Sequence, residues 1–391
     1  MAPEPGRSGG RARLYHVELP MRTPFDHPAA RRRTSDSLVL KLSADGVDGI
    51  GECAPRSYVT GETTASVRTA LEQVDFAALF ALLTGRDPEE LLGLLHRDGF
   101  ARTFGIDGGN NLLCLLETAV LDWLGRRLGR GARELLPGGE GGTSPSLPVS
   151  RTPDSLPVSQ VLDLSLDAEE FLATRGPFHF VKIKASDDIE HDARTVRTIR
   201  DKLGDDVPVM VDANMCWTPA NAVDHARRLR EAGVDYVEEP LPKGSWEALR
   251  VLRRDGGVRI MLDESVCTAR DARTAVESEA CDAFNIRVSK NGGPLPAAGL
   301  VEYARENGVR FQFGVQVAEV GPLINSGRAL AFGHPDALTV EAGQSDRFFP
   351  EMIVAPPPAV DRDTNTLSPA GGTGWGMDLA ASAERWAVRD L

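Results

Sequence analysis

The sequence predicts an α/β protein whose larger part is a (β/α)8-type TIM barrel. From about residue 156 onward, short apolar segments alternate with amphipathic segments of helical spacing. Eight segments fit strands: LPVSQVLD, FHFVKIKAS, VPVMVDANM, VDYVEEPL, VRIMLDESV, DAFNIRVSKNGG, VRFQFGVQVAE and ALTVEAG. Continuous apolar strands are typical of a parallel sheet covered by helices, and eight such units close into a barrel. An open doubly wound sheet is the alternative, but no G-x-G-x-x-G follows the early strands.

The part of the chain before this alternation has a different pattern. SDSLVLKLSADGVDGIGECAP reads as two strands joined by a turn, and helical patterns follow in TTASVRTALEQVDFAALFALL and NNLLCLLETAVLDWLGRRLG. The Gly- and Pro-rich stretch 137–146 marks a boundary. The sequence LPVS occurs twice after it, and the second copy is the more strand-like. The predicted division is a disordered leader (1–13), an N-terminal domain (14–136), a linker (137–146), the barrel (147–349) and a C-terminal segment (350–391).

Composition excludes several classes of function. The chain of 391 residues has a net charge of −13, and no basic cluster interleaves with aromatic residues, which argues against nucleic acid as a partner. No apolar run approaches membrane length. The five cysteines form no C-x-x-C pair, which fits a reducing compartment better than a disulfide framework. We therefore predict a cytoplasmic location and no membrane partner.

Polar side chains collect at one place in each unit, the C-terminal end of the strand. In a TIM barrel those ends converge on the catalytic face. The carboxylates also recur at one-unit intervals, because 26 residues separate Asp212 from Glu238 and 25 separate Glu238 from Asp263. The residues at the ends of the second to sixth strands are Lys182, Lys184, Asp212, Asn214, Glu238, Glu239, Asp263, Glu264 and Lys290.

Three carboxylates at a barrel mouth repel each other unless a cation neutralises them. Mg2+ prefers carboxylate oxygens, with Mn2+ as the alternative, and the absence of His and Cys at these positions argues against zinc. Asp212, Glu238 and Asp263 are the predicted ligands. Lys184 approaches from one side and Lys290 from a strand opposite. Lys182 lies on the same strand face as Lys184. The positive charge of Lys182 favours the neutral, basic form of Lys184.

These groups suggest one kind of reaction. The metal binds a substrate carboxylate, one lysine removes the proton from the α-carbon, and the charge of the resulting ene-diolate is stabilised. The other lysine can return a proton to the opposite face or assist a departing group.

The motifs KIK, DAN, EEP, DES and SKNGG, in this order and at one-unit spacing, resemble the enolase superfamily, specifically its muconate-lactonizing branch. The resemblance covers about residues 35–345 and includes GIGECAPRSYVTGET. It implies a barrel with an N-terminal α+β capping domain, to which the C-terminal segment returns. It also implies metal ligation by Asp212, Glu238 and Asp263, acid/base roles for Lys184 and Lys290, and support of Lys184 by Lys182. The chemistry of that superfamily, in which a Lys or His base acts with Mg2+ on an ene-diolate, agrees with the reaction above.

Five further residues are candidates for support of the site or contact with substrate. Asn214 and Glu264 sit beside predicted ligands, where helix capping is the alternative role. Glu319, in FGVQVAEVG, matches a glutamate that the family places near the substrate, although the flanking residues differ. Tyr58 and His27 are candidates for a lid. VEAGQSD replaces the Asp-x-Asp that dipeptide epimerases of the branch carry after the eighth strand.

Two lysines on opposite faces suit racemisation or epimerisation of an N-acyl amino acid, a dipeptide or a similar carboxylate. Cycloisomerisation and dehydration use the same enolate and are the alternative. Two other hypotheses lie outside this class, a metal-free Schiff-base aldolase and a non-catalytic binding protein. The three carboxylates in order argue against an aldolase. The presence of every expected catalytic residue argues against a non-catalytic protein. The predicted partner is a small carboxylate substrate, and family habit suggests a homo-oligomer.

Overall fold

The computed structural model describes residues 9–27, 30–137 and 153–391, with side chains described outside 23–31. The strands are β1 Arg11–Val17, β2 Pro20–His27, β3 Ala30–Thr34, β4 Ser37–Ala44, β5 Val47–Cys53, β6 Leu156–Pro157, β7 Gln160–Leu162, β8 Val181–Lys184, β9 Val209–Asp212, β10 Tyr236–Glu238, β11 Arg259–Leu262, β12 Ala283–Ile286, β13 Arg310–Phe313, β14 Val354–Ala355, β15 Thr366–Leu367, β16 Asp378–Leu379 and β17 Ala387–Asp390.

The helices of the described residues cover both the N-terminal part and the barrel. They are α1 Ser57–Thr60, α2 Thr64–Leu71, α3 Phe76–Gly85, α4 Pro88–Asp98, α5 Phe100–Phe104, α6 Asn110–Leu128, α7 Ala168–Thr174, α8 Ile189–Leu203, α9 Ala222–Ala232, α10 Trp246–Gly256, α11 Ala269–Glu277, α12 Pro294–Glu306, α13 Pro322–Gly333 and α14 Ser345–Phe348, with 3-10 turns at Ala132–Leu135 and Ala381–Trp386. None of them is long and apolar enough to cross a membrane.

The barrel sheet is parallel and follows chain order, β7-β8-β9-β10-β11-β12-β13, which confirms the predicted alternation of strands and helices. The eighth predicted strand, ALTVEAG, is wrong as a strand. It forms a single parallel bridge between Phe313 and Val340, and the carbonyl of Val340 accepts a hydrogen bond from the N–H of Ser159 at 3.0 Å. Three backbone hydrogen bonds join the segment to β13, and the one from Ser159 joins it to the β7 side of the sheet. The first strand, β7, directly follows the second LPVS copy; the first copy lies outside the described residues.

The barrel helices show why the sequence folds locally as it does. In α8 the carboxylate of Asp188 accepts a hydrogen bond from the N–H of Glu190 and caps the helix start. Ala193, Val196 and Ile199, at spacings of three, are buried against the sheet, and the chain leaves the helix at Gly204. Amphipathic helices of this kind cover the outside of the parallel strands.

The N-terminal part forms an antiparallel sheet in the order β17-β1-β4-β5, packed on α6. β17 comes from the C-terminal end of the chain and pairs with β1, so the C-terminal segment returns to this sheet. The predicted leader is too long, because β1 begins at Arg11 and its residues alternate between exposed and buried. Residues 138–146 of the predicted linker lie outside the described residues.

Strand β5 packs closely on α6 and carries a carboxylate that contacts the barrel. A Cβ at Gly51 of β5 would lie 2.3 Å from the carbonyl oxygen of Leu115, so α6 can approach this strand only because it carries glycine here. The carboxylate of Glu52, next in the strand, accepts hydrogen bonds from the N–H groups of Val320 (2.7 Å) and Leu323 (3.1 Å). Glu52 thus fixes the start of α13 and the end of the loop that leads to it from β13.

Candidate active site

The carboxylate of Asp212, at the end of β9, holds two lysines of the neighbouring strand. Its Oδ2 lies 2.7 Å from the Nζ of Lys184 and 2.9 Å from the Nζ of Lys182. The two lysines share one face of β8 because they are two residues apart, and Lys184 stands directly beside Asp212 in the strand register. Burial would raise the pKa of Asp212, but the two positive charges outweigh burial and lower that pKa far below its usual range. Asp212 is therefore an anion at the pH of the cell.

Lys182 lies at the centre of three carboxylates. Its Nζ is 2.9 Å from Asp212, 3.0 Å from Glu238 and 2.9 Å from Glu341. Burial alone would lower the pKa of Lys182, but the charges of these carboxylates raise it well above its usual value. Lys182 is a fixed cation that neutralises the site, and it shares with Lys184 the same oxygen of Asp212.

Glu238, at the end of β10, and Asp263, directly after β11, form a row of carboxylates together with Asp212. Glu238 stands in register with Asp212, and its Oε1 accepts a hydrogen bond from Asn285 at 2.8 Å. Burial and the charge of Asp212 raise the pKa of Glu238 to about 7. Asp263 forms ion pairs with Arg287 and with Lys290, which lower its pKa against the effect of burial.

Lys290 occupies the opposite end of the row from Lys184. Its Nζ lies 3.0 Å from Oδ1 of Asp263 and also donates to the carbonyl oxygens of Asp263 (2.7 Å) and Asn285 (2.6 Å). The side chain is fully buried, and Lys290 does not line the adjoining pocket, whereas Lys184 does. The two predicted acid/base lysines thus bracket the carboxylates, but only Lys184 stands on the pocket wall.

The pocket at this end of the barrel is formed by loops that follow the strands. Its wall includes Lys182, Lys184, Arg287 and Glu341 from the charged row. The remaining lining residues are Tyr58, Val161, Asp163, Ser165, Leu166, Arg175, Val315, Gln316, Val317, Ala318, Gly343, Gln344, Arg347 and Phe348. The wall therefore combines a charged floor with apolar and basic sides.

The other predicted residues fall into different places. Asn214 accepts a hydrogen bond from Lys184 at 3.1 Å through Oδ1, so it lies in the site as predicted. Tyr58 lines the pocket. Glu264 is buried, neither of its carboxylate oxygens is hydrogen-bonded within the described residues, and burial together with Asp263 raises its pKa well above the usual value. The backbone of His27 ends β2, and its side chain lies outside the described part of the chain.

Glu319 does not line the pocket, although its neighbours from Gln316 to Ala318 do. Its Oε1 accepts a hydrogen bond from the N–H of Gln316 at 2.7 Å. Burial and the charge of Glu52 raise its pKa well above the usual value. In this structure the side chain shapes the loop from inside rather than facing a substrate.

Sequence reasoning missed two charged residues of the row, Arg287 and Glu341. Arg287 lies two residues after Asn285, on the same face of the strand, and an arginine in an apolar run was the available signal. Glu341 ends the eighth predicted strand, so the rule that identified the other strand-end charges also applies to it. Its pKa is lowered by Lys182 and Arg287, which outweigh burial.

Glu239 has a structural role, as its position beside Glu238 predicts. Its Oε2 accepts hydrogen bonds from the N–H groups of Asp263 (2.7 Å) and Ser265 (3.1 Å). These bonds fix the backbone at the point where β11 ends. Glu239 therefore sets the position from which Asp263 is presented.

The donor set suits a hard cation such as Mg2+, since it consists of carboxylate oxygens alone. Glu238 Oε2, Asp263 Oδ2 and both oxygens of Glu264 are buried and accept no hydrogen bond of good geometry from the described part of the chain. Within the described residues, however, no three acidic, His or Cys side chains converge as a ready metal cluster. Lys182 and Arg287 hold Glu238 and Asp263 instead, so a metal would replace some of these ion pairs.

Comparison with known proteins places this geometry in a family context. Residues 163–383 match the model of the Enolase C-terminal domain-like family. The chain is 26% identical over 334 residues to the N-succinyl-L-Arg/Lys racemase of Bacillus cereus, covering 84% of this chain and 85% of that protein. It is 30% identical over 298 residues to the L-Lys-D/L-Arg epimerase of Methylococcus capsulatus, covering 76% and 79%. The muconate lactonizing enzyme of Pseudomonas putida superposes with a TM-score of 0.79 at 25% identity, covering 97% of this chain and 99% of that structure.

Proposed function

Because this chain belongs to the enolase superfamily, in its muconate-lactonizing branch, we propose that it removes the proton α to a carboxylate and returns it to the opposite face of the same carbon. The proposed substrates are N-acyl amino acids, dipeptides or similar small carboxylates. The observation that carries the proposal is the placement of Lys184 and Lys290 at the two ends of one row of carboxylates. Racemases and epimerases among the relatives support this direction.

The proposed metal ligands are Asp212, Glu238 and Asp263, and the proposed ion is Mg2+ or Mn2+. When bound, the ion would supply positive charge against the negative charge that develops on the substrate carboxylate. Superfamily members generally use Mg2+. Oε2 of Glu238 and Oδ2 of Asp263 already face the cationic groups of Lys182 and Arg287, which supports a place for positive charge here.

Lys184 is the proposed base on the pocket side. Its side chain lines the pocket, and its Nζ donates hydrogen bonds to Asp212 at 2.7 Å and to Asn214 at 3.1 Å. Lys290 is the proposed partner that exchanges a proton with the opposite face. Lys182, whose pKa is raised by three carboxylates, stays a cation and neutralises part of the row.

Solvent deuterium uptake tests this function. The protein is incubated with Mg2+ in D2O and separate pools of dipeptides, N-acyl amino acids and hydroxy acids, and loss of the α-proton signal is followed by NMR. We expect exchange that EDTA abolishes and that Lys184→Ala reduces by about 10²- to 10⁴-fold. Lys202→Ala, at an exposed site on α8, is the matched control. Undiminished exchange of both enantiomers of a substrate in Lys184→Ala would overturn the assignment of the base.

Cycloisomerisation is a second candidate, since the P. putida lactonizing enzyme shares this fold at 25% identity. It uses the same enolate with a different second step. Incubation with cis,cis-muconate, followed by loss of its diene absorbance, separates the two. Ring closure of muconate without α-proton exchange in the amino acid pools would make cycloisomerisation, not racemisation, the function of this enzyme.

The cellular location and the oligomeric state stay predictions. All five cysteines are free thiols in the structure, four of them buried, as the sequence pattern indicates. A homo-oligomer is proposed from family habit alone.

A further inference from the structure

Two arginines on the pocket wall, Arg175 and Arg347, have no acidic partner within the described residues. Arg175 follows α7 and Arg347 lies in α14, and both line the pocket that contains Lys184. Neither guanidinium forms an ion pair or a side-chain hydrogen bond in the described part of the chain, and the Nε of Arg175 is buried without a hydrogen-bond partner there. A buried donor without a partner costs free energy unless a ligand satisfies it.

The acidic residue beside Arg347 is already committed to another arginine. Asp346 accepts two hydrogen bonds from Arg362, at 2.8 Å to Nε and 2.5 Å to Nη2. Arg362 also donates to Gln344 at 2.8 Å. Asp346 is therefore paired with Arg362 rather than with Arg347. Burial, together with the charges of Arg362 and Arg175, lowers the pKa of Arg347 to about 10, which leaves it a cation at neutral pH.

The other cations of the pocket wall are paired with carboxylates. Lys182 and Lys184 pair with the carboxylate row, and Arg287 pairs with Asp263. Glu341 pairs with Lys182. Asp163, the remaining acid of the wall, accepts hydrogen bonds from the N–H and the hydroxyl of Ser165 through one oxygen.

This excess of positive charge lies in a chain whose net charge is −13. The two arginines are the surplus cations of a pocket in an otherwise acidic protein. Clefts lined by one sign of charge concentrate ligands of the opposite sign. Arginine is also the side chain best suited to bidentate recognition of a carboxylate.

We propose that Arg175 and Arg347 form an anion subsite for a second carboxylate of the substrate, so that this enzyme acts on dicarboxylates. This inference rests on the proposed function, in which the first carboxylate lies at the row of Asp212, Glu238 and Asp263. The apolar wall residues, such as Leu166, Val315 and Phe348, suit the uncharged atoms between the two carboxylates.

The second carboxylate can belong to the acyl group or to the amino acid side chain, and two pairs of probes separate these sources. The acyl pair is N-succinyl-L-alanine and its neutral amide, N-succinamoyl-L-alanine. The side-chain pair is N-acetyl-L-glutamate and N-acetyl-L-glutamine. We expect the acid of at least one pair to bind, and to exchange its α-proton, about 10- to 100-fold better than its amide, as loss of a charge-assisted hydrogen bond predicts.

The variants are Arg175→Met and Arg347→Met, with Arg310→Met as the matched control. Arg310 is exposed at the start of β13, the strand end remote from the pocket. In each subsite variant we expect the affinity and the exchange rate of the acid to fall to those of its amide. The affinity and the exchange rate of the amide should not change. A merely structural role would weaken acid and amide equally.

Binding is measured by calorimetry in the presence of Mg2+, and exchange is measured by NMR on the same samples. Equal binding of acid and amide by the wild-type protein in both pairs would overturn the subsite. A preference that survives in both arginine variants would overturn it as well. Preferential binding that the variants abolish, without exchange of any α-proton, would support the subsite and count against the proposed function.

Discussion

The barrel interior has two layers that use the same strands and the same inward face, and their chemistry is opposite. The lower layer is apolar and consists of Phe180, Met210, Tyr236, Met261 and Ala283. The upper layer lies two residues further along each strand and consists of Lys182, Asp212, Glu238, Asp263 and Asn285. The lower residues pack against each other as a separate buried cluster. The upper residues make ion pairs and hydrogen bonds instead.

The difference shows how a core strand can end in a buried charge. The three carboxylates of the upper layer and the neighbouring Glu341 contact four cationic side chains, which are Lys182, Lys184, Arg287 and Lys290. Removing one partner of such a pair leaves an uncompensated buried charge, which is strongly unfavourable. Packing holds the lower layer, whereas mutual neutralisation holds the upper one.

The largest expected effect comes from Asp212→Asn, because Asp212 is a proposed metal ligand and also contacts Lys182 and Lys184. We expect α-proton exchange to fall at least about 10³-fold, roughly 4 kcal/mol in activation free energy, with the fold retained. NMR exchange rates and circular dichroism measure the two effects. Asp206→Asn, at an exposed loop position, is the control. A rate within tenfold of wild type would remove Asp212 from the chemistry.

Phe180→Ala changes the lower layer instead, since Phe180 is 1% exposed and packs in the apolar cluster. We expect the free energy of unfolding to fall by about 3 kcal/mol or more because a cavity remains. The exchange rate of the folded protein should change little. Denaturant unfolding measures the loss, and Leu164→Ala, at a side chain 48% exposed, should shift it by no more than about 0.5 kcal/mol. Equal losses in the two variants would count against a packed lower layer.

Metal binding should stabilise the upper layer. At a Mg2+ concentration 100 times Kd, we expect the free energy of unfolding to rise by about 2.7 kcal/mol. Thermal unfolding with and without EDTA measures the effect. Asp212→Asn should lose most of this gain, and a gain of the same size in that variant would place the metal elsewhere.

Glu117 contrasts with the ion-paired carboxylates of the upper layer, because it is buried and pairs with no cation among the described residues. It accepts one hydrogen bond, from the N–H of Leu295 at 2.8 Å, and burial raises its pKa to about 8. The unfolded chain releases this proton near the ordinary value of about 4.3, so between these values the folded state holds more protons and stability falls as pH rises.

We therefore expect Glu117→Gln to gain stability relative to wild type between pH 5 and pH 9, by about 1–2 kcal/mol. Urea unfolding at each pH measures the difference. Glu231→Gln, an exposed control on α9, should show a difference independent of pH. A Glu117→Gln difference that stays constant from pH 5 to pH 9 would contradict the raised pKa.

Much of the upper layer could be predicted from the sequence because strand geometry enforces it. A parallel barrel brings strand ends together, so Lys184, Asp212 and Glu238 had to be neighbours once their strands were recognised. The same rule missed Arg287, which lies just beyond the end of β12 within an otherwise apolar segment. It also left Glu341 unmarked, although this residue lies within the predicted strand ALTVEAG.

Other features depend on tertiary contacts that have no local signal. The burial of Lys290 behind two backbone carbonyls follows from the path of the chain after β12. The orientation of Glu319 away from the pocket follows from its hydrogen bond to the N–H of Gln316. The start of β1 at Arg11 was missed because its partner strand β17 comes from the other end of the chain.

The most direct test of the account is α-proton exchange measured separately for the two enantiomers of one substrate, in Lys184→Met and in Lys290→Met. Each lysine is proposed to serve one face of the α-carbon. The account predicts that neither variant interconverts the enantiomers, and that any exchange remaining in each variant is confined to one enantiomer, a different one in the two variants. Loss of a general acid–base group is expected to slow the reaction at least about 100-fold. Interconversion of the enantiomers by either variant at more than about 1% of the wild-type rate would therefore contradict the account.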